Sequence, residues 1–266
     1  MTGFFGYGQV DPISAWKKGE DQLQEFMTLQ SPLLLSRLLL SGLGTEVSVE
    51  YQNRIPQKGS LLVVSNHRSY MDAPLLMTAL NQSIRFACHH YMGQVPVLRD
   101  IVQALGCFPL EERQQRQHDF FAQASRLLQQ GENVGIFPEG GQPMVQLTQP
   151  DQMTRFHRGF AHLALRTSLP DLMVLPVAIA ARTETSYPAF PVHLLGLFDP
   201  SEALFEHGGW HPVVTYHQVK ILIGRPQPIS MVDRQQYQGK QARKLATELT
   251  QYCHTEIDQL LKQGFA

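Results

Sequence analysis

From residue 46 onward, short apolar runs recur along the chain: Val47–Tyr51, Leu61–Ser65, Ile84–Ala87, Val134–Phe137, Met173–Ala180 and Val219–Ile223. Each has strand length rather than helix length, and stretches of helical character separate them. Ala73–Leu80 is one such stretch and Arg113–Gln130 another. In the second, Phe120, Ala124, Leu127 and Leu128 mark an apolar face, and Gly131 stands where a C-terminal cap belongs. Near the end, Leu245, Leu249, Cys253, Ile257 and Leu261 recur every four residues and predict a closing amphipathic helix. Strands alternating with helices call for an α/β sheet.

Composition narrows the function classes. A chain of 266 residues that is 43% hydrophobic buries a sizeable core and is not disordered. Its 22 Lys+Arg against 23 Asp+Glu give no global basic field, which argues against a nucleic-acid partner. The three cysteines, Cys88, Cys107 and Cys253, form no CxxC pair. Neither a disulfide framework nor a cysteine zinc site follows, and a reducing, cytosol-facing compartment is expected. The opening MTGFFGYGQVDP has no signal-peptide pattern, and no apolar run approaches the 18 or so residues of a spanning helix.

The N-terminal region differs from the rest. Ile13–Met27 is polar and helix-compatible, and Ser31–Gly42 follows with six leucines in eight positions, broken only by Ser36 and Arg37. Such a helix suits the headgroup region of a membrane, or alternatively the surface of the main domain. Residues 1–45 are therefore read as an N-terminal helical segment and residues 46–266 as the main domain.

Two strings carry chemistry. The run Leu61–Ser65 ends in Asn66-His67, and Asp72 follows the histidine by five positions. Ligands of open α/β sheets bind outside the carboxyl ends of strands, where His67 would sit. A carboxylate accepting one imidazole N–H fixes the tautomer and raises the basicity of the other nitrogen. Residues five apart lie about 140° apart around a helix. The two therefore meet only if His67 is in the loop and Asp72 in the first turn. Ser69 and Asp72 have capping-box spacing, and Pro74 fits a helix start. The second string is the run ending Phe137-Pro138-Glu139-Gly140-Gly141. If the two strands are parallel, Glu139 emerges at the same sheet edge as His67. Other clusters fit poorly. Two glycines separate His207 from His211, and no carboxylate completes a metal-ligand set with His217; Cys88-His89-His90 is adjacent rather than spaced.

Asn66-His67-x4-Asp72 together with Phe137-Pro138-Glu139-Gly140 resembles the glycerolipid acyltransferase family, whose best-known members acylate lysophosphatidic acid. Gly106–Leu110, Arg155–Phe160 and Val174–Val177 resemble further blocks in the family's order, so the likeness spans about residues 45–200. The resemblance implies acyl transfer from an acyl carrier protein or coenzyme A thioester to a lipid hydroxyl, with no cofactor or metal. It implies that His67 is the general base and Asp72 its orienter. Asn66, Glu139 and Gly140 are then expected at the acceptor, and backbone N–H groups at the following helix start at the developing oxyanion.

Two positions depart from the family pattern. Its second block ends in an arginine where this chain has Glu112, and its third continues to an arginine where this chain has Gln142. A phosphate dianion needs cations, for which Arg113 and Arg158 are the candidates. A 1-acylglycerol-3-phosphate acceptor in phospholipid synthesis is expected. A non-phosphorylated lipid alcohol, a thioester hydrolase and an inactive lipid- or carrier-binding member are the alternatives. The expected fold is α/β, with a mixed, largely parallel sheet flanked by helices and an N-terminal helical segment. The expected location is peripheral, at the cytoplasmic face of a membrane.

Overall fold

The computed structural model describes residues 32–94, 98–110, 116–197, 205 and 209–266. Helix α1 covers residues 32–42. Then follow β1 (Glu46–Glu50), β2 (Leu61–Ser65), α2 (Asp72–Leu80), β3 (Ile84–Cys88), α3 (His90–Gln94) and α4 (Leu98–Ala104). The middle of the chain holds β4 (Phe108–Pro109), α5 (Arg116–Gln129), β5 (Asn133–Ile136), α6 (Gln142–Val145) and α7 (Gly159–Arg166). It closes with β6 (Met173–Pro191), β7 (Trp210–Ile223), β8 (Gln227–Pro228), α8 (Met231–Gln236) and α9 (Gly239–Phe265).

The strands form one sheet in the order β1-β7-β6-β2-β5-β3-β4, with β8 on β6. The pairs β1–β7, β6–β2, β2–β5, β5–β3 and β3–β4 are parallel. Only β6–β7 and β6–β8 are antiparallel. The fold is thus the mixed, largely parallel, helix-flanked sheet expected from the sequence, with an N-terminal helix.

Alternation along the central strands covers both faces, as parallel sheets require. Leu62, Val64, Val174 and Ala178 pack with residues of α5, α7 and α9. Leu61, Val63, Leu175 and Val177 point the other way and pack with α1 and α2. All five residues of β2 are buried, so the loop that follows it leaves from a fixed point.

Helix α1 docks on the main domain by one face, the second of the alternatives read for it. Leu33, Ser36 and Leu40 are buried, and each leucine stabilises the docking of the helix by about 1.5–3 kcal/mol. Its other side is apolar and open, with Leu34 58% and Leu38 61% exposed. Among the described residues no helix is long and apolar enough to cross a membrane.

The largest departure from the sequence reading lies in β6 and β7. The apolar pattern ends the one at Ala180 and starts the other at Val219. Yet β6 runs on to Pro191 and β7 begins at Trp210, paired with each other through bulges between Ala181 and Glu184. Pairing of β6 with β2 stops at Val177. The two strands therefore continue as a ribbon beyond the carboxyl edge of β2, beside the 66–72 loop.

Candidate active site

Helix α2 begins at Asp72, with Pro74 in its first turn where the absent N–H costs nothing. His67 lies in the preceding loop, so the two meet across the turn. Asp72 Oδ2 accepts a hydrogen bond from His67 Nδ1 at 2.8 Å. The same oxygen accepts from the backbone N–H of Arg68 at 2.7 Å and of Ser69 at 2.9 Å. An ionised carboxylate only accepts, so the Nδ1 proton stays on the imidazole and Nε2 carries the lone pair. Asp72 is fully buried, whereas the His67 side chain is 18% exposed. The histidine thus reaches solvent while the carboxylate does not.

Only half of the expected capping box forms. The Ser69 hydroxyl donates to the Val214 carbonyl at 2.6 Å and accepts from Met71 N, while Asp72 caps Ser69 N. Backbone N–H groups of this turn are also engaged. His67 N donates to Glu139, Arg68 N and Ser69 N to Asp72, and Asp72 N to the Ser69 carbonyl. The turn thus spends these donors on its own geometry.

β2 and β5 are parallel neighbours, so Phe137-Pro138-Glu139-Gly140 leaves the sheet beside His67. Gly140 closes the turn at φ 75°, a left-handed conformation that a side chain disfavours. The Glu139 carboxylate is 3% exposed and already holds three donors. Oε1 accepts from His67 N at 3.1 Å; Oε2 accepts from Thr154 N at 2.6 Å and Thr154 Oγ1 at 2.8 Å. Glu139 ties the histidine loop to the segment before α7 and also lines the neighbouring cleft. Asn66 is likewise occupied: its amide donates to the Ile179 carbonyl at 3.0 Å and accepts from Ile179 N at 2.8 Å. Both polar side chains expected at the acceptor are buried in backbone contacts that the sequence alone does not reveal.

An aromatic stack supports the His67 ring. The His67 ring lies on Phe137 with centroids 4.1 Å apart and 10° between planes, and Phe137 lies on Phe86 at 5.1 Å. Neither Phe was singled out from the sequence as a site residue, although Phe137 belongs to the quoted string.

Next to Glu139 opens a cleft of about 640 Å³, lined by Gln142, Thr154, Arg155, His157, Arg158 and His162 among others. Its one acidic lining residue, Glu139, is the buried and hydrogen-bonded one, so the accessible charge there is cationic. Arg158 reaches Thr247 Oγ1 at 3.3 Å, and His162 bonds the Tyr237 hydroxyl at 2.7 Å. Burial, with Arg166 and Arg158 adding to it, pulls the His162 pKa down. Arg155 and His157 join Arg158 here without having been picked out individually in the sequence, because bonds between Glu139 and Thr154 hold this segment beside the turn. Arg113 lies outside the described residues. Among the described residues no group of three or more His, Cys, Asp or Glu is placed to hold a metal ion.

The family model described as acyltransferase matches residues 46–180, which include His67, Asp72 and the Glu139 turn. Among solved structures the chain is similar to the crystal structure of the 1-acyl-sn-glycerophosphate (LPA) acyltransferase PlsC from Thermotoga maritima. The identity is 19%, the match covers 88% of this chain and 78% of that one, and the TM-score is 0.57, a likeness of fold. A search of curated proteins gives no match.

Proposed function

The chain belongs to the acyltransferase family, and on that premise we propose that it moves a fatty acyl group from a thioester to a lipid hydroxyl, with 1-acylglycerol-3-phosphate as acceptor. The observation that carries this reading is the His67–Asp72 pair at the carboxyl edge of β2, beside a cationic cleft. His67 Nε2 takes the proton of the acceptor hydroxyl as its oxygen attacks the thioester carbonyl. The carbon–sulfur bond then breaks, and the imidazolium returns the proton to the leaving thiolate. The products are an ester and a free thiol, with no covalent acyl-enzyme.

Asp72 holds the tautomer and stabilises the imidazolium. Glu139 and Asn66 act by placing the loop, and Gly140 supplies the left-handed turn that follows Glu139. Arg158, with Arg155 and His157 on the same cleft, offers the phosphate the charge that Glu112 and Gln142 do not; Arg113 is a further candidate. The donor is an acyl carrier protein or coenzyme A thioester. The open face of α1, with Leu34, Leu35 and Leu38, supports a peripheral position on a lipid surface, at its cytoplasmic side, with residues 1–45 as the interfacial segment and 46–266 as the catalytic domain.

Turnover of lysophosphatidic acid compared with a monoacylglycerol tests the acceptor. Arg158→Gln is expected to raise KM for the phosphate acceptor about tenfold, the worth of one charge-assisted contact, and to leave the uncharged one unaffected. Equal use of both acceptors, with no selective effect of the substitution, would assign a non-phosphorylated alcohol instead.

A further inference from the structure

Behind Asp72 lies a second set of polar groups. Arg68 follows the base directly, yet its guanidinium is 3% exposed. Nη1 and Nη2 donate to the two carboxylate oxygens of Glu184 at 2.7 and 2.9 Å. Nε and Nη2 also donate to the Thr148 carbonyl at 3.2 and 2.7 Å. Glu184 stands on the part of β6 that has left the sheet, and its cross-strand partner on β7 is Tyr216. Tyr216 is 1% exposed, and its backbone N–H donates to Met71 Sδ, one residue before Asp72. The second carboxylate oxygen of Asp72, Oδ1, is buried and accepts no hydrogen bond of ordinary length.

Chemistry ties these groups together. Burial and then the Asp72 charge push the Tyr216 phenol well above its usual range, so it stays protonated beside Asp72. Burial works against the Arg68 charge, but the bond to Glu184 and the fields of Tyr216, Glu184 and Asp72 outweigh it and raise its pKa. A buried guanidinium–carboxylate pair of this kind is costly to desolvate and is weak as a stabilising device. Its place beside the catalytic turn gives it another use.

We propose that Tyr216, Arg68 and Glu184 are positioning residues that fix the buried surroundings of Asp72 and so set how strongly His67 takes up a proton. The proposal rests on His67 being the general base. The charged or titratable groups facing the pair are Asp72, Glu139 at the His67 backbone N–H, Arg68, Glu184 and Tyr216. Two nearly isosteric substitutions act on it with opposite sign. Tyr216→Phe removes a dipole that stabilises the Asp72 charge, so the carboxylate holds an imidazolium more firmly and protonation persists to higher pH. Glu184→Gln leaves the Arg68 charge unbalanced, which makes the site more positive and disfavours the imidazolium.

The test is kcat/KM against pH for the full chain and both variants, with a short-chain acyl thioester and lysophosphatidic acid. The acid limb is expected to move up by about half a pH unit or more in Tyr216→Phe and down by a similar amount in Glu184→Gln. Glu184→Asp, which keeps the charge, is expected to restore the limb even if its rate falls. An NMR titration of the His67 ring in the same proteins reads the same displacements without turnover. If the unsubstituted chain transferred no acyl group, the functional reading would fail while this titration still judged the network. Lower rates with coincident limbs, or limbs moving in one direction, would overturn the proposal and leave these residues a purely structural role.

Discussion

The imidazole of His67 rests flat on the ring of Phe137, with centroids 4.1 Å apart and planes within 10°. Phe137 is backed by Phe86, and Phe86 closes against Gly135 of β5, where a Cβ would collide with the Phe86 ring. A glycine two residues before the Phe-Pro-Glu-Gly turn thus governs the tilt of the base. Gly135→Ala is expected to destabilise the protein by about 1–3 kcal/mol through overpacking and to lower kcat beyond what the lost stability explains. Thermal unfolding together with kcat at a temperature where the variant is fully folded checks this.

Asp72 serves three donors through one oxygen, so its replacements differ in meaning. Asp72→Asn keeps an acceptor for the turn but loses the charge that favours the imidazolium. Its kcat is expected to fall by about 10²–10⁴-fold, the range of general-base assistance, with KM and melting temperature little changed. Steady-state kinetics alongside circular dichroism would show a loss confined to KM if the pair were only structural.

The cysteines are poor nucleophiles here. Burial pushes the Cys107 thiol up to about 11 and the Cys88 thiol up to about 12, and it raises Cys253 further still. The native protein is expected to react with an aromatic disulfide reagent at pH 8 about two orders of magnitude more slowly than a free thiol, and full reactivity returns on unfolding. Rapid labelling of one cysteine in the native state would reopen a covalent acyl-cysteine route.

Acid is expected to weaken the fold through His162 and His211, whose pKa values burial lowers. In the window between the lowered folded value and about 6.5, the unfolded chain binds protons that the folded one does not. Stability therefore rises with pH through that window and is flat above it. Melting temperatures from pH 8 down to pH 5.5 should fall below about pH 6.5, less steeply in His162→Gln than in the parent; parallel curves would remove His162 from the account.

Local pattern revealed most of the scaffold and part of the site. Leu61–Ser65 was legible because a strand covered on both faces admits no polar break, and α9 because its burial follows a four-residue repeat. The meeting of His67 with Asp72 was legible because five residues suffice to turn a loop into a helix. The ribbon was not: Arg182–Pro191 is polar, carries two prolines, and becomes a strand only through pairing with residues 210–218. Helix α7 was missed because the block Arg155–Phe160 reads as a loop motif until Phe160, Leu163 and Ala164 find the core. The internal partners of Asn66 and Glu139 were not legible, because nothing local reports that Ile179, His67 and Thr154 take up their polar atoms. Residues distant in sequence decide what such side chains touch.

Release of free thiol from an acyl thioester, with and without lysophosphatidic acid in detergent micelles, tests the central claim most directly. The chain is expected to release thiol only when the acceptor is present, and His67→Ala to abolish that release while the protein remains folded. Release independent of the acceptor, or undiminished by His67→Ala, would contradict it.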